Sequence, residues 1–160
     1  MASWLRNILH IALALMLLFN PLSLRLMTLL TAITYGLHPD IYYRQIAAES
    51  SFRPFVVSSV GAVGLGQVLP GTSRYVCKFC PKFLLFFPPV NLAISAAYTR
   101  YLVNKYSDNT SLMLAAYNWG ETRVDRRLRQ RLPSIDPNAD YRWLFADIPE
   151  TYTFISRVLD

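Results

Sequence analysis

The sequence predicts an all-α protein: mainly helical, with one small glycine-rich lobe of turns or β-ribbon and a hydrophobic segment at the N-terminus. Three observations carry this reading. Apolar residues recur at helical spacing in PDIYYRQIAAES, NLAISAAYTRYLVNKY and SLMLAAYNWG. Four of the six glycines fall between Gly61 and Gly71, which confines irregular backbone to one place. No βαβ pattern appears, and 160 residues suffice for one domain with a real core but not for two.

Met1 to Asn20 has a short n-region with Arg6, then the apolar run ILHIALALMLLF. That run has signal-peptide length and is short for a membrane span, so residues 1–25 read as a signal peptide or a retained membrane anchor. Leu26 to Gly36 reads as the first helix of the folded domain, with Gly36 as its C-cap. Pro39 and Asp40 suit the first turn of the next helix, whose inward stripe is Ile41, Tyr42, Gln45, Ile46 and Glu49. Ser58 to Gln67 forms the glycine-rich lobe, and GTSRYVCKF resumes as helix. The run FLLFFPPV is the most apolar part of the domain, either core or a contact patch. Asn91 to Tyr106 is helical through Leu92, Ala96, Thr99 and Val103. The polar break Ser107 to Thr110 supplies the cap for SLMLAAYNWG, which ends at Gly120. Glu121 to Arg131 continues as a strongly basic helix, either a solvated face or a surface for anionic wall polymer or lipid head groups, and Pro133, Pro137 and Asn138 mark a loop. Asp147 to Asp160 is the last helix, expected to pack back against the first.

Chemistry concentrates between Glu49 and Pro70. Glu49 sits at the C-terminal end of its helix, on the inward stripe. Burial and the negative end of the helix dipole both favour its protonated form, as a general acid near neutral pH requires. His10 and His38 are the only histidines and lie in a hydrophobic leader and a loop. A Ser-His-Asp or Cys-His mechanism, or a histidine metal site, therefore has little support. Cys77 and Cys80 lack the second pair that structural zinc needs, so no metal is expected; a local disulfide is the favoured fate in an exported protein, free thiols the other. GAVGLG follows no buried strand and precedes no GK[ST], which argues against a nucleotide loop and leaves no cofactor implied. The net charge is +6, with five arginines between Arg123 and Arg131. Such a chain meets anionic polymers or lipid head groups, but no recognition-helix motif accompanies the arginines, so no nucleic-acid partner is expected.

The stretch ESSFRPFVVSSVGAVGLGQVLP resembles the signature of soluble lytic transglycosylases, whose catalytic fold is that of goose-type lysozyme. Three later stretches match in order. VNLAISAAYTRYL is similar to the family's N-x-x-x-G-x-x-YL helix. LAAYNWGETRV resembles AAYN-x-G, and IPETYTFISRVL resembles a shortened form of the family's C-terminal motif, with Tyr152 in place of an arginine. The resemblance implies a lysozyme-like catalytic domain over residues 26–160, with Glu49 catalytic and Ser58, Gln67, Tyr117, Asn118 and Glu150 binding substrate. From chemistry alone Tyr117 and Asn118 read equally well as a core tyrosine and a helix-end asparagine.

The family's substrate is the glycan strand of peptidoglycan. Ordinary glycosidases flank the bond with two carboxylates, but no second acid belongs to the Glu49 motif, and after Glu49 the next is Asp108. One remaining route uses the substrate's own N-acetyl group to stabilise the developing charge; the resemblance implies that route, with a 1,6-anhydro product, while water attack at the last step would give a hydrolysed end. A hydrolytic muramidase and a non-catalytic, membrane-tethered glycan-binding assembly factor are the competing readings. The expected location is the bacterial periplasm or cell envelope, exported or anchored through the N-terminal segment. A secretion, conjugation or phage-penetration apparatus is a candidate partner, with a virion-associated location included.

Overall fold

A computed structural model of the chain describes residues 2–132 and 134–160. Met1 of the leader and Pro133 of the expected loop lie outside them. The helices are α1 (Ala2–Phe19), α2 (Pro21–Thr34), α3 (Pro39–Ser50), α4 (Pro70–Val76), α5 (Pro88–Lys105), α6 (Thr110–Trp119), α7 (Glu121–Arg131) and α8 (Pro149–Leu159). Short 3₁₀ segments cover Lys82–Phe86 and Arg142–Phe145. Between α3 and α4 the chain forms turns joined only by isolated bridges, Val57 with Val63 and Val63 with Val68.

Proline explains many of the helix starts. Pro21, Pro39, Pro70, Pro88 and Pro149 each occupy a first helical turn, where the missing N–H costs nothing and φ is already set. α6 uses a side chain instead. Asn109 Oδ1 accepts from Leu112 N at 3.0 Å and from Ser111 Oγ at 2.8 Å. Its Nδ2 donates to the carbonyls of Asp136 and Ala139, tying the cap to the loop after α7.

The main core gathers Leu102, Leu112, Leu114, Ala115, Val124, Leu144, Phe145, Ile155 and Val158 from α5 to α8. A second cluster joins Leu24 and Ala32 of α2, Tyr42 and Ile46 of α3, Leu65 of the lobe, and Leu92 and Ala96 of α5. A third lies under the lobe, around Val63, Val68, Leu85 and Ile94.

The structure differs from the sequence reading at four places. The helix expected from Leu26 begins at Pro21, because Leu24 already points into the core while Arg25 lies on the outer face, 5.6 Å above the Phe52 ring. It ends at Thr34 with Tyr35, not the expected Gly36, as its C-cap, and Gly36 follows as the left-handed residue at φ +64°. α4 stops at Val76, short of the expected Phe79; Cys77 and Cys80 are bonded to each other in a tight turn, with Cα atoms 5.5 Å apart. The last helix packs on α3 and α6 rather than on the first helix, since Thr151, Phe154, Ile155 and Val158 turn toward that side of the molecule. The arginine run is not one uniform solvated face: the Arg127 guanidinium lies 4.8 Å over the Trp119 ring and pairs with Asp147.

Among the described residues no single helix is long and apolar enough to cross a membrane. Only α1 and α2 together reach that length, and they are bent by 66° at the break between them.

Candidate active site

Glu49 occupies the last turn of α3, on the row that Tyr42, Gln45 and Ile46 bury. The chain then reverses sharply, with Ser51 at φ 52° and Phe52 at φ 58°. Two consecutive left-handed residues are strained, and they swing the following segment back over the helix end. The lobe is therefore folded against the carboxyl that precedes it.

The lobe is a chain of tight turns. Ser58 Oγ accepts from Ala62 N at 3.0 Å, Ser58 N donates to Ala62 O at 2.9 Å, and Gly61 supplies the positive φ of +82°. Gln67, at φ 45°, donates from Nε2 to the Gly64 carbonyl at 2.9 Å. These turns lean on α5. Asn91 is wholly buried: Nδ2 donates to Val63 O and Leu85 O, and Oδ1 accepts from Gly66 N, each at 2.8 Å. The approach is close enough that a Cβ on Gly66 would stand 2.5 Å from Ser95 Oγ, and one on Gly64 would stand 2.6 Å from Leu85 O.

Tyr117 joins the lobe to α6. Its hydroxyl donates to Gly66 O at 2.6 Å, so Ser95 Oγ, 2.8 Å away, donates to it in turn. One turn of α8 closes the opposite side: Thr151 Oγ1 donates to Asn118 Oδ1 at 2.8 Å.

Glu49, Ser58, Gln67, Tyr117, Asn118 and Glu150 all line one cleft of about 600 Å³ between the lobe and α8. The sequence reading omitted other lining residues, Thr153, Phe154 and Arg157 among them. It also omitted Asn91 and Ser95, which hold the lobe in place. Arg157 and Phe154 stand in the C-terminal motif and Asn91 opens the N-x-x-x-G-x-x-YL motif, so these three were open to recognition, whereas Ser95 looked like an ordinary helix residue.

Burial, and after it the negative charge of Glu150 across the cleft, together push the Glu49 carboxyl up to about 8. The group is thus protonated at neutral pH, yet the cleft reaches it. Burial also raises the Tyr117 phenol well above its ordinary value, with Glu49 adding to the effect, so the ring acts as a neutral hydrogen-bonding group. Among the described residues no three His, Cys, Asp or Glu side chains converge as a metal site would need. Chemically, the arrangement offers one protonated carboxyl lining the cleft, with the neutral polar side chains of Ser58, Gln67, Tyr117 and Asn118 and the charged side chains of Glu150 and Arg157 around it.

The family model described as the transglycosylase SLT domain matches residues 31–135, more than half of the chain. The chain belongs to the transglycosylase SLT family. Within that family it is 33% identical over 130 residues to the soluble lytic murein transglycosylase of Escherichia coli K12, covering 76% of this chain and 20% of that protein. It is also 33% identical over 106 residues to the membrane-bound lytic murein transglycosylase C of Histophilus somni, covering 58% of this chain and 29% of that protein. An inactive mutant of the lytic transglycosylase Slt from Pseudomonas aeruginosa superposes with a TM-score of 0.71 at 29% identity, over 87% of this chain and 23% of that one. The 70-kDa soluble lytic transglycosylase in complex with bulgecin A superposes with a TM-score of 0.74 at 26% identity, over the same shares. This SLT-family chain therefore spans about a fifth of the length of the soluble relatives it matches. The all-α, lysozyme-like fold expected from the sequence is the fold these structures share.

Proposed function

We propose that the protein is a peptidoglycan lytic transglycosylase that cleaves the β-1,4 bond between N-acetylmuramic acid and N-acetylglucosamine without water. The observation carrying this reading is Glu49: a carboxyl kept protonated by burial and by Glu150, at the wall of an open cleft of about 600 Å³. Glu49 gives its proton to the bridging oxygen as the bond to the anomeric carbon breaks. The carbonyl of the 2-acetamido group attacks that carbon and takes up the positive charge. Ionised Glu49 then removes the proton of the sugar's 6-hydroxyl, whose oxygen closes the 1,6-anhydro ring and expels the acetamido oxygen. Glu49 ends protonated, ready for the next bond.

In this reading Ser58, Gln67, Asn118 and Glu150 bind the sugars, and Tyr117 holds the lobe at its working distance from Glu49. Residues 26–160 act as the catalytic domain and residues 1–25 as a leader or anchor, which locates the enzyme in the bacterial cell envelope. Local opening of the wall, as a secretion, conjugation or phage-penetration apparatus requires, is the corresponding role. The relatives' names support the substrate: both curated proteins are murein transglycosylases.

Mass spectrometry of wall digests tests the proposal. The expected muropeptides carry anhydro ends, one water lighter than hydrolysed ends, and Glu49→Gln releases none. Reducing ends alone make the protein a muramidase, and clearing by the Gln variant equal to wild type removes Glu49 from the chemistry.

A further inference from the structure

α2 has two unlike faces. Leu24, Thr28 and Ala32 are buried against α3 and α5. On the other side Leu22, Leu26, Leu30 and Ile33 are 73, 55, 54 and 64% exposed, and half-buried Leu29 lies among them. At about 100° per residue these five side chains occupy an arc of roughly 100°, a continuous apolar stripe about three turns long. Leu22, Leu26 and Leu29 continue into a groove of about 550 Å³ floored by Pro39 and Tyr43 of α3.

The chain itself points to what covers this stripe. It is continuous with α1, which is exposed from Ser3 to Leu17 and carries no polar residue from Ile11 to Phe19. The charge has one sign: residues 1–39 contain Arg6 and Arg25 and no acid. The first acid, Asp40, is paired with Arg44 at 3.1 Å. Apolar surface flanked by Arg25, with its one bordering carboxylate, Asp40, paired to Arg44, suits an anionic lipid surface. The bend adds geometry. A helix α1 entering a bilayer along its normal leaves α2, turned by 66°, within about 25° of the membrane plane.

We infer that the outer stripe of α2 (Leu22, Leu26, Leu29, Leu30 and Ile33) lies in the head-group boundary of an anionic membrane, so that the folded domain sits on the bilayer rather than swinging from a tether. The seat is separate from the cleft and stands whether or not the cleft cleaves a glycan.

Depth measurements on the full-length protein test it. With Cys77 and Cys80 bonded to each other, Leu26→Cys, Leu30→Cys, Leu13→Cys on α1 and Gln130→Cys on α7 each take one bimane label. The proteins are reconstituted in phosphatidylethanolamine–phosphatidylglycerol vesicles containing a doxyl-lipid quencher. The expected result is several-fold stronger quenching at positions 26 and 30 than at 130. Leu26→Glu/Leu30→Glu should weaken vesicle partitioning several-fold with an unchanged melting temperature, since both side chains are exposed. Quenching at position 13 with positions 26 and 30 no different from 130 would mean a tether only and overturn the inference. A concentration-dependent shift of the 26 and 30 labels without lipid would assign the stripe to a second copy of the chain, and equally overturn it.

Discussion

Replacing Glu49 by glutamine should destroy the proposed activity and at the same time stabilise the fold, at neutral pH only. In the unfolded chain this carboxyl ionises near its ordinary value of 4.5, and in the cleft near 8. Between those values the fold holds a proton that the unfolded chain releases, so stability is full below 4.5 and declines as pH rises toward 8. The slope is about 1.4 kcal/mol per pH unit, which at pH 7 sets a ceiling of about 3 kcal/mol. The cleft reaches the carboxyl and lowers that figure, leaving about 1–3 kcal/mol. Glutamine has nearly the same shape and no proton to hold. For a domain of this size the gain corresponds to a rise of roughly 3–8 °C in melting temperature. The assay is circular dichroism melting of both proteins near pH 7 and near pH 4, beside muropeptide release from purified wall. The Gln variant should melt higher near pH 7 and equally near pH 4, with product release down by at least about 10²-fold. Equal melting temperatures near pH 7, or the same gain at both pH values, would refute the buried, protonated carboxyl.

The alkaline limb of the pH–rate profile should lie near pH 8, where Glu49 ionises, and Glu150→Gln should move it to lower pH because only burial then raises the carboxyl. An unmoved limb in kcat/KM would show that the two acids do not interact. Gly66→Ala should cost about 1–3 kcal/mol by pressing a methyl group against Ser95 and lifting the lobe, read as a lower melting temperature and lost activity. Gly61→Ala meets no atom within 4 Å and carries only the cost of its φ of +82°, about 1–2 kcal/mol, so its activity should survive. Tyr117→Phe leaves the Gly66 carbonyl without its 2.6 Å donor and should cost about 1–3 kcal/mol in thermal melts.

Glu49 was legible because two local signals coincide: an apolar stripe with helical period and the end of that helix. The glycine-rich lobe was legible from composition, since positive φ at Gly61 and Gly64 has few other solutions. What escaped detection depends on contacts far along the chain. Asn91 and Ser95 sit on a helix whose pattern is apolar, and apart from Leu85 their partners lie more than twenty residues away, Val63 and Gly66 in turns without regular register and Tyr117 on α6. The influence of Glu150 on Glu49 arises because α8 packs on α3, and no local periodicity states which helix a tail meets. The start of α2 was hidden by Arg25, which interrupts an apolar run in one dimension but on the helix simply faces outward.

The ceiling over Glu49 has no sheet to stiffen it; two hydrogen bonds of one Asn91 carboxamide, with Val63 and Gly66, set its height. α5 thus serves as the jig on which the loop is cast. A transplant of residues 58–67 into another scaffold would arrive shapeless unless Asn91 and Ser95 travelled with it.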